Sequence, residues 1–100
     1  MPTLSEVEIK RDQVIAELTA AAQDATNLTA DKFCDCLRSA ASVWPDHRDK
    51  FEEYCSDQFA VSPSTIGRWT KGQTCPLPSI RVFVLMDLVR HLTHVNHDIC

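Results

Sequence analysis

Four side chains toward the end of the chain, His91, His94, His97 and Cys100, recur at three-residue steps, and imidazole and thiolate are good zinc ligands. On a helix each such step advances about 300°, so the four positions fan around half the circumference and do not converge. They read as a partly exposed polar face near a frayed chain end. Cys34 and Cys36 form one Cys-x-Cys pair with no second pair at zinc spacing. Two residues apart on a helix they point to different sides, as small apolar residues do. Asp46 beside His47 suggests acid–base chemistry, but no nucleophile or cleft accompanies the pair. With two glycines in the chain, little is left for a phosphate-cradling loop. No catalytic residue, metal ligand or cofactor is assigned, and the chain is not expected to be an enzyme.

A different chemistry is spaced along residues 52–72, EEYCSDQFAVSPSTIGRWTKG. Two helices meet there across a very short turn, Ala60-Val61. Cys55, Phe59, Val61, Ile66 and Trp69 supply shared apolar contacts, and small Ser56 stands where the helices would cross. The second helix opens with Ser62-Pro63, a cap followed by the residue best suited to the first helical position. Its free face holds Pro63, Ser64, Gly67, Arg68 and Lys71. Trp69 and Ile66 read as core.

The run Val61-Ser-x-Ser-Thr-Ile-x-Arg-Trp-x-x-Gly72, followed by Gly72-Gln-Thr-x-Pro76 and an apolar helix, resembles the phage Cro and repressor-type (Xre-like) helix-turn-helix family. The resemblance covers about residues 47–92 and, more loosely, a helix at 29–43. It implies that the helix opening at Ser62 enters the major groove of double-stranded DNA. Pro63, Ser64, Gly67 and Arg68 would then contact bases, Arg68 through the guanidinium fork that fits guanine O6 and N7. Ser62, Thr70, Lys71, Gln73 and Thr74 would hold phosphates, which position the protein without reading sequence; for Lys71 plain solubility is the alternative. Two departures stand out. The turn usually has glycine where this chain has Ala60, and Glu52 and Glu53, with Asp57 a turn later, replace a neutral or basic phosphate contact. Gln58 is the one neutral donor nearby.

The elements that must position this face are helices. Ser5 with Glu8 fits a capping box for a first helix over 3–26, striped by Val7, Val14, Leu18, Ala21, Ala22 and Ala25. Thr29 caps a second, with Leu28 and Phe33 at staple spacing and Phe33, Leu37 and Ala40 or Ala41 inward. Val43-Trp44-Pro45 stops it, because a residue before proline is pushed out of the helical region. Asp46 caps a third over roughly 47–60. A long last helix begins near Ser79 and ends in the low nineties, with Ile80, Phe83, Val84, Leu88 and Leu92 inward. This predicts an all-α fold of about five helices: an accessory helix in 1–27, a helix-turn-helix domain in 28–95 and a frayed tail in 96–100.

Composition agrees. Of 100 residues, 44% are hydrophobic and 24% charged, which is globular rather than disordered. The net charge of −4 is uneven. Residues 1–60 carry twelve acids against six bases, whereas 61–100 carry Arg68, Lys71, Arg81 and Arg90 against Asp87 and Asp98. A polyanion would have to sit on the second half. No apolar run suits a membrane, the acidic start lacks a signal-peptide pattern, and five cysteines do not make a disulfide framework. A cytoplasmic protein is expected.

The function expected is sequence-specific DNA binding by a small, repressor-like transcription regulator, as a homodimer because one recognition helix contacts few bases. The alternative is a protein-binding adaptor, antitoxin-like or a decoy, that uses its acidic surface and binds little or no DNA. A structural or virion component is a weaker third.

Overall fold

The computed structural model describes residues 6–45 and 48–97. The Ser5 cap, Asp46, His47 and Cys100 lie outside the described residues. Five α-helices follow one another among those described: α1 (Glu6–Gln23), α2 (Ala30–Ser42), α3 (Arg48–Phe59), α4 (Pro63–Thr70) and α5 (Pro78–His97). The fold is all-α, as the sequence predicts.

Local chemistry sets most of the helix ends. α1 gives way after Gln23 to a short 3-10 turn, Ala25–Asn27. There the Asn27 amide donates to the Asp24 carboxylate at 2.9 Å, and such short polar side chains compete with a helical backbone. Thr29 caps α2 by accepting from the Lys32 amide, and Leu28 and Phe33 are both buried beside that cap. α3 ends where Ala60 takes a left-handed φ of 56°. The Val61 amide then donates back to the Ser56 carbonyl at 3.2 Å, and Ser56 Oγ donates to the Val61 carbonyl at 2.6 Å. Small Ser56 is therefore a brace for the turn. α4 ends in the same way at Gly72, φ 75°, with Gln73 N–H to Arg68 O and Gly72 N–H to Trp69 O.

An alanine in the left-handed region is strained where glycine is not. Ala60→Gly is expected to raise stability by about 1 kcal/mol, read as a higher urea midpoint at unchanged slope. An unchanged or lower midpoint would show the turn to be relaxed with alanine.

One core joins all five helices through Leu18, Phe33, Leu37, Ala40, Phe51, Ile66, Val84, Leu85, Leu88 and Leu92. α1 lies along α5 and also against α2. Arg11 of α1 donates to the Val43 carbonyl at 2.8 Å, and Arg81 of α5 donates to the Leu28 carbonyl at 3.0 Å. These bonds tie the accessory helix and its connection to the rest. Val14, Leu18, Ala21 and Ala22 face inward as the stripe predicts, whereas Val7 and Ala25 are exposed.

Helix α5 differs from expectation. Val84, Leu88 and Leu92 are buried, but Ile80 is 41% and Phe83 56% exposed, and Leu85 is inward instead. The inward arc centres on 84, 85, 88 and 92, so Phe83 falls nearly opposite it. Phe83 instead meets Phe59 edge-on at 5.9 Å, and Met86 stands exposed beside it. No helix among the described residues is long and apolar enough to cross a membrane.

Candidate nucleic-acid interface

Ser62 accepts from the Thr65 amide at 3.2 Å and Pro63 occupies the first turn, so α4 starts at a fixed point. Ile66 and Trp69 point inward, Trp69 packing edge-on against Phe33 of α2 at 6.0 Å. Anchored at both ends and along its inner face, α4 turns the opposite row outward. Pro63, Ser64, Arg68 and Lys71 are exposed and Gly67 is half-buried. These five, together with Gln73 and Glu52, line one groove.

Not every residue expected at this surface is equally placed. Ser64 Oγ lies 3.1 Å from the Ser62 hydroxyl, and Arg68 Nη2 donates to Thr65 Oγ1 at 3.3 Å, both exposed and local. Thr70 is drawn inward. Its hydroxyl donates to the Gly67 carbonyl at 2.9 Å, which uses the donor a phosphate would need. Thr74 is exposed in the loop after α4 and is not part of the groove.

Gly67 is informative because the fold does not require glycine there. A Cβ would meet only Glu52 Oε2, at an ordinary 3.7 Å. Glycine inside a helix costs about 0.5–1 kcal/mol relative to alanine. The missing side chain leaves room on the outer surface of α4, where a ligand backbone or base edge could approach closely.

Two neighbours of α4 come from distant sequence. Arg38 of α2 donates through Nε to the Thr70 carbonyl at 2.8 Å. With Ala41, Phe51, Glu52, Thr70 and Lys71 it lines a second groove that adjoins the first through Glu52 and Lys71. Arg38 was missed in the sequence because nothing local places the second half of α2 beside the end of α4. The acidic residues of α3 separate. Glu52 joins the α4 surface, while Glu53 and Asp57 line another groove with Trp44, Pro45, Lys50, Tyr54 and His91. Arg38, Arg68 and Lys71 thus line the same two grooves as one carboxylate.

The remaining reactive groups are used in packing. His91 stacks on Trp44 at 4.8 Å and lies 4.4 Å from Tyr54, and burial holds its pKa below the usual 6.5. His94 is exposed, and the His97 and Cys100 side chains lie outside the described ones. Cys34 and Cys36 are buried, Cys34 donating to the Thr70 carbonyl at 3.2 Å. Burial pushes the Cys36 thiol up to about 11 and Cys55 up to about 12, so both stay protonated at neutral pH. Gln58, the neutral donor near Glu52 and Glu53 in sequence, donates to Asp87 at 3.1 Å. No family model, curated protein or solved structure matches this chain.

Proposed function

We propose that this protein is a sequence-specific, repressor-like DNA-binding regulator of the cytoplasm that lays α4 in the major groove. The observation that carries the reading is the outward row Pro63, Ser64, Gly67, Arg68 and Lys71 on a helix fixed at both ends, with Arg38 alongside. Arg68 reads a guanine, Ser64 and Pro63 contact neighbouring bases, and Gly67 admits the close approach. Lys71, Arg38 and Gln73 hold phosphates.

The reading requires two copies, since one such row spans too few bases. The surface available to a second copy is the outer face of α5, where Ile80, Phe83 and Met86 stand exposed at three-residue steps. Helix α1 already occupies another side of α5. Two α4 helices would then read half-sites about 34 Å apart or a multiple of it.

The test is selection from a random duplex DNA pool. The wild type should enrich a roughly palindromic site, and Arg68→Ala should lose preference at one base pair by about 1–3 kcal/mol. Lys71→Ala should weaken all sequences alike and lower the salt slope by about one. A folded wild type that enriches nothing at low salt would overturn the proposal. The adaptor reading would then stand on the separate acidic groove of Glu53 and Asp57.

A further inference from the structure

Glu52 looks at first like an obstacle to DNA. A carboxylate near phosphates repels them, and this one stands among Arg38, Lys71 and Arg68 in the two grooves beside α4. Its position and bonding argue for a different role. Glu52 is half-buried, and its Oε2 lies 3.7 Å from where a Gly67 Cβ would be, so it sits against the middle of α4. Among the described residues it makes no hydrogen bond or ion pair, although Glu53, its neighbour, pairs with Lys50 at 3.3 Å. Arg38 is turned toward the Thr70 carbonyl and Asp35, and Arg68 toward Thr65. A half-buried carboxylate beside the one outward residue of α4 that has no side chain is, among the described residues, an acceptor to which no donor is bonded.

We propose that Glu52 is a specificity-determining residue that accepts a hydrogen bond from the exocyclic amino group of a base in the major groove. The inference rests on the DNA-binding reading above. The amino groups on that edge are cytosine N4 and adenine N6; guanine and thymine present only acceptors there. A carboxylate is acceptor-only, so it is attracted to the first pair and repelled by the carbonyl oxygens of the second. Gly67 lets the base edge come in over α4 to reach it. Arg68, on the same groove, makes the opposite choice, since its guanidinium donates and selects guanine. One short surface then carries a donor reader and an acceptor reader, and the site should contain an Arg68-dependent guanine close to a Glu52-dependent cytosine or adenine.

The experiment is the random-pool selection repeated with Glu52→Ala and Glu52→Gln, each checked for wild-type helicity and urea midpoint. Wild type should show one position restricted to cytosine or adenine that does not change in Arg68→Ala. Glu52→Ala should relax that position alone, by roughly 5- to 150-fold in discrimination, and leave the guanine preference in place. Glu52→Gln keeps the size but adds donors, and should move the position toward adenine, whose N6 and N7 pair with a carboxamide. Cytosine in the wild type with adenine in Glu52→Gln identifies N4 as the natural partner; adenine in both identifies N6. If Glu52→Ala binds the unchanged motif and all other sequences more tightly, Glu52 merely repels phosphate and the inference is overturned while the DNA reading stands. If the wild type enriches nothing, both fall.

Discussion

Trp69→Ala is expected to destabilise the protein by about 3–5 kcal/mol and to remove DNA binding with it. Trp69 is 7% exposed and is the bulky contact between α4 and the core, meeting Phe33 edge-on. An eight-residue helix does not persist in water by its own propensity; tertiary packing must hold it. Truncating the indole leaves a cavity under the helix and forfeits aromatic contact. In a domain whose total stability is on the order of 5–15 kcal/mol, that is a large share. Urea unfolding gives the loss directly. Conservative Trp69→Phe should recover most of the stability and the base preference, since a smaller ring still meets Phe33. A fall below about 1 kcal/mol in the alanine variant would show that α4 is held by its caps and not by its anchor.

Asp87→Ala should cost about 3 kcal/mol, because Asp87 is the buried charge around which α3 and α5 meet. Its carboxylate accepts from the Tyr54 hydroxyl at 2.6 Å, from Gln58 Nε2 at 3.1 Å and from Arg90 Nη2 at 2.6 Å. Arg90 is largely exposed and contributes little, so the loss falls on the partly buried bonds to Tyr54 and Gln58. Tyr54 supplies a second readout. Burial raises its pKa above the usual 10.0, and the hydrogen bond and charge of Asp87 raise it further. A group whose folded pKa is raised contributes stability that is complete below the unfolded value and is lost as pH climbs toward the folded one. The wild type should therefore weaken above about pH 10, and Asp87→Ala should lose part of that slope. Its phenolate absorbance should also appear at lower pH than in the wild type. An unmoved phenolate transition would separate Tyr54 from Asp87.

Much of the fold was legible because it depends on neighbours in sequence. Thr29 and Ser62-Pro63 start helices through bonds that span three residues, and Gly72 stops one through a positive φ that few other residues tolerate. The inward faces of α2 and α4 follow from helical periodicity, and with α4 fixed, its outward row was fixed too. The strain at Ala60 was visible as a missing glycine.

What periodicity could not settle was which side of a helix meets a neighbour when apolar residues lie on more than one. In α5, Phe83 and Leu85 are both candidates, and α1 and α2 decide between them by where they pack. Asp87 is buried for the same reason: Tyr54 and Gln58 of α3 arrive over it and satisfy its oxygens. Arg38 reaches the α4 surface from another helix, across a separation that no local rule encodes, and only the closed core parts Glu52 from Glu53 and Asp57. The sequence by itself therefore determined the five helices, the Thr29 and Ser62 caps and the row of side chains on α4. Only the tertiary structure decided what surrounds that row, because a helix's own hydrogen bonds are local whereas its neighbours are chosen by how the whole core closes.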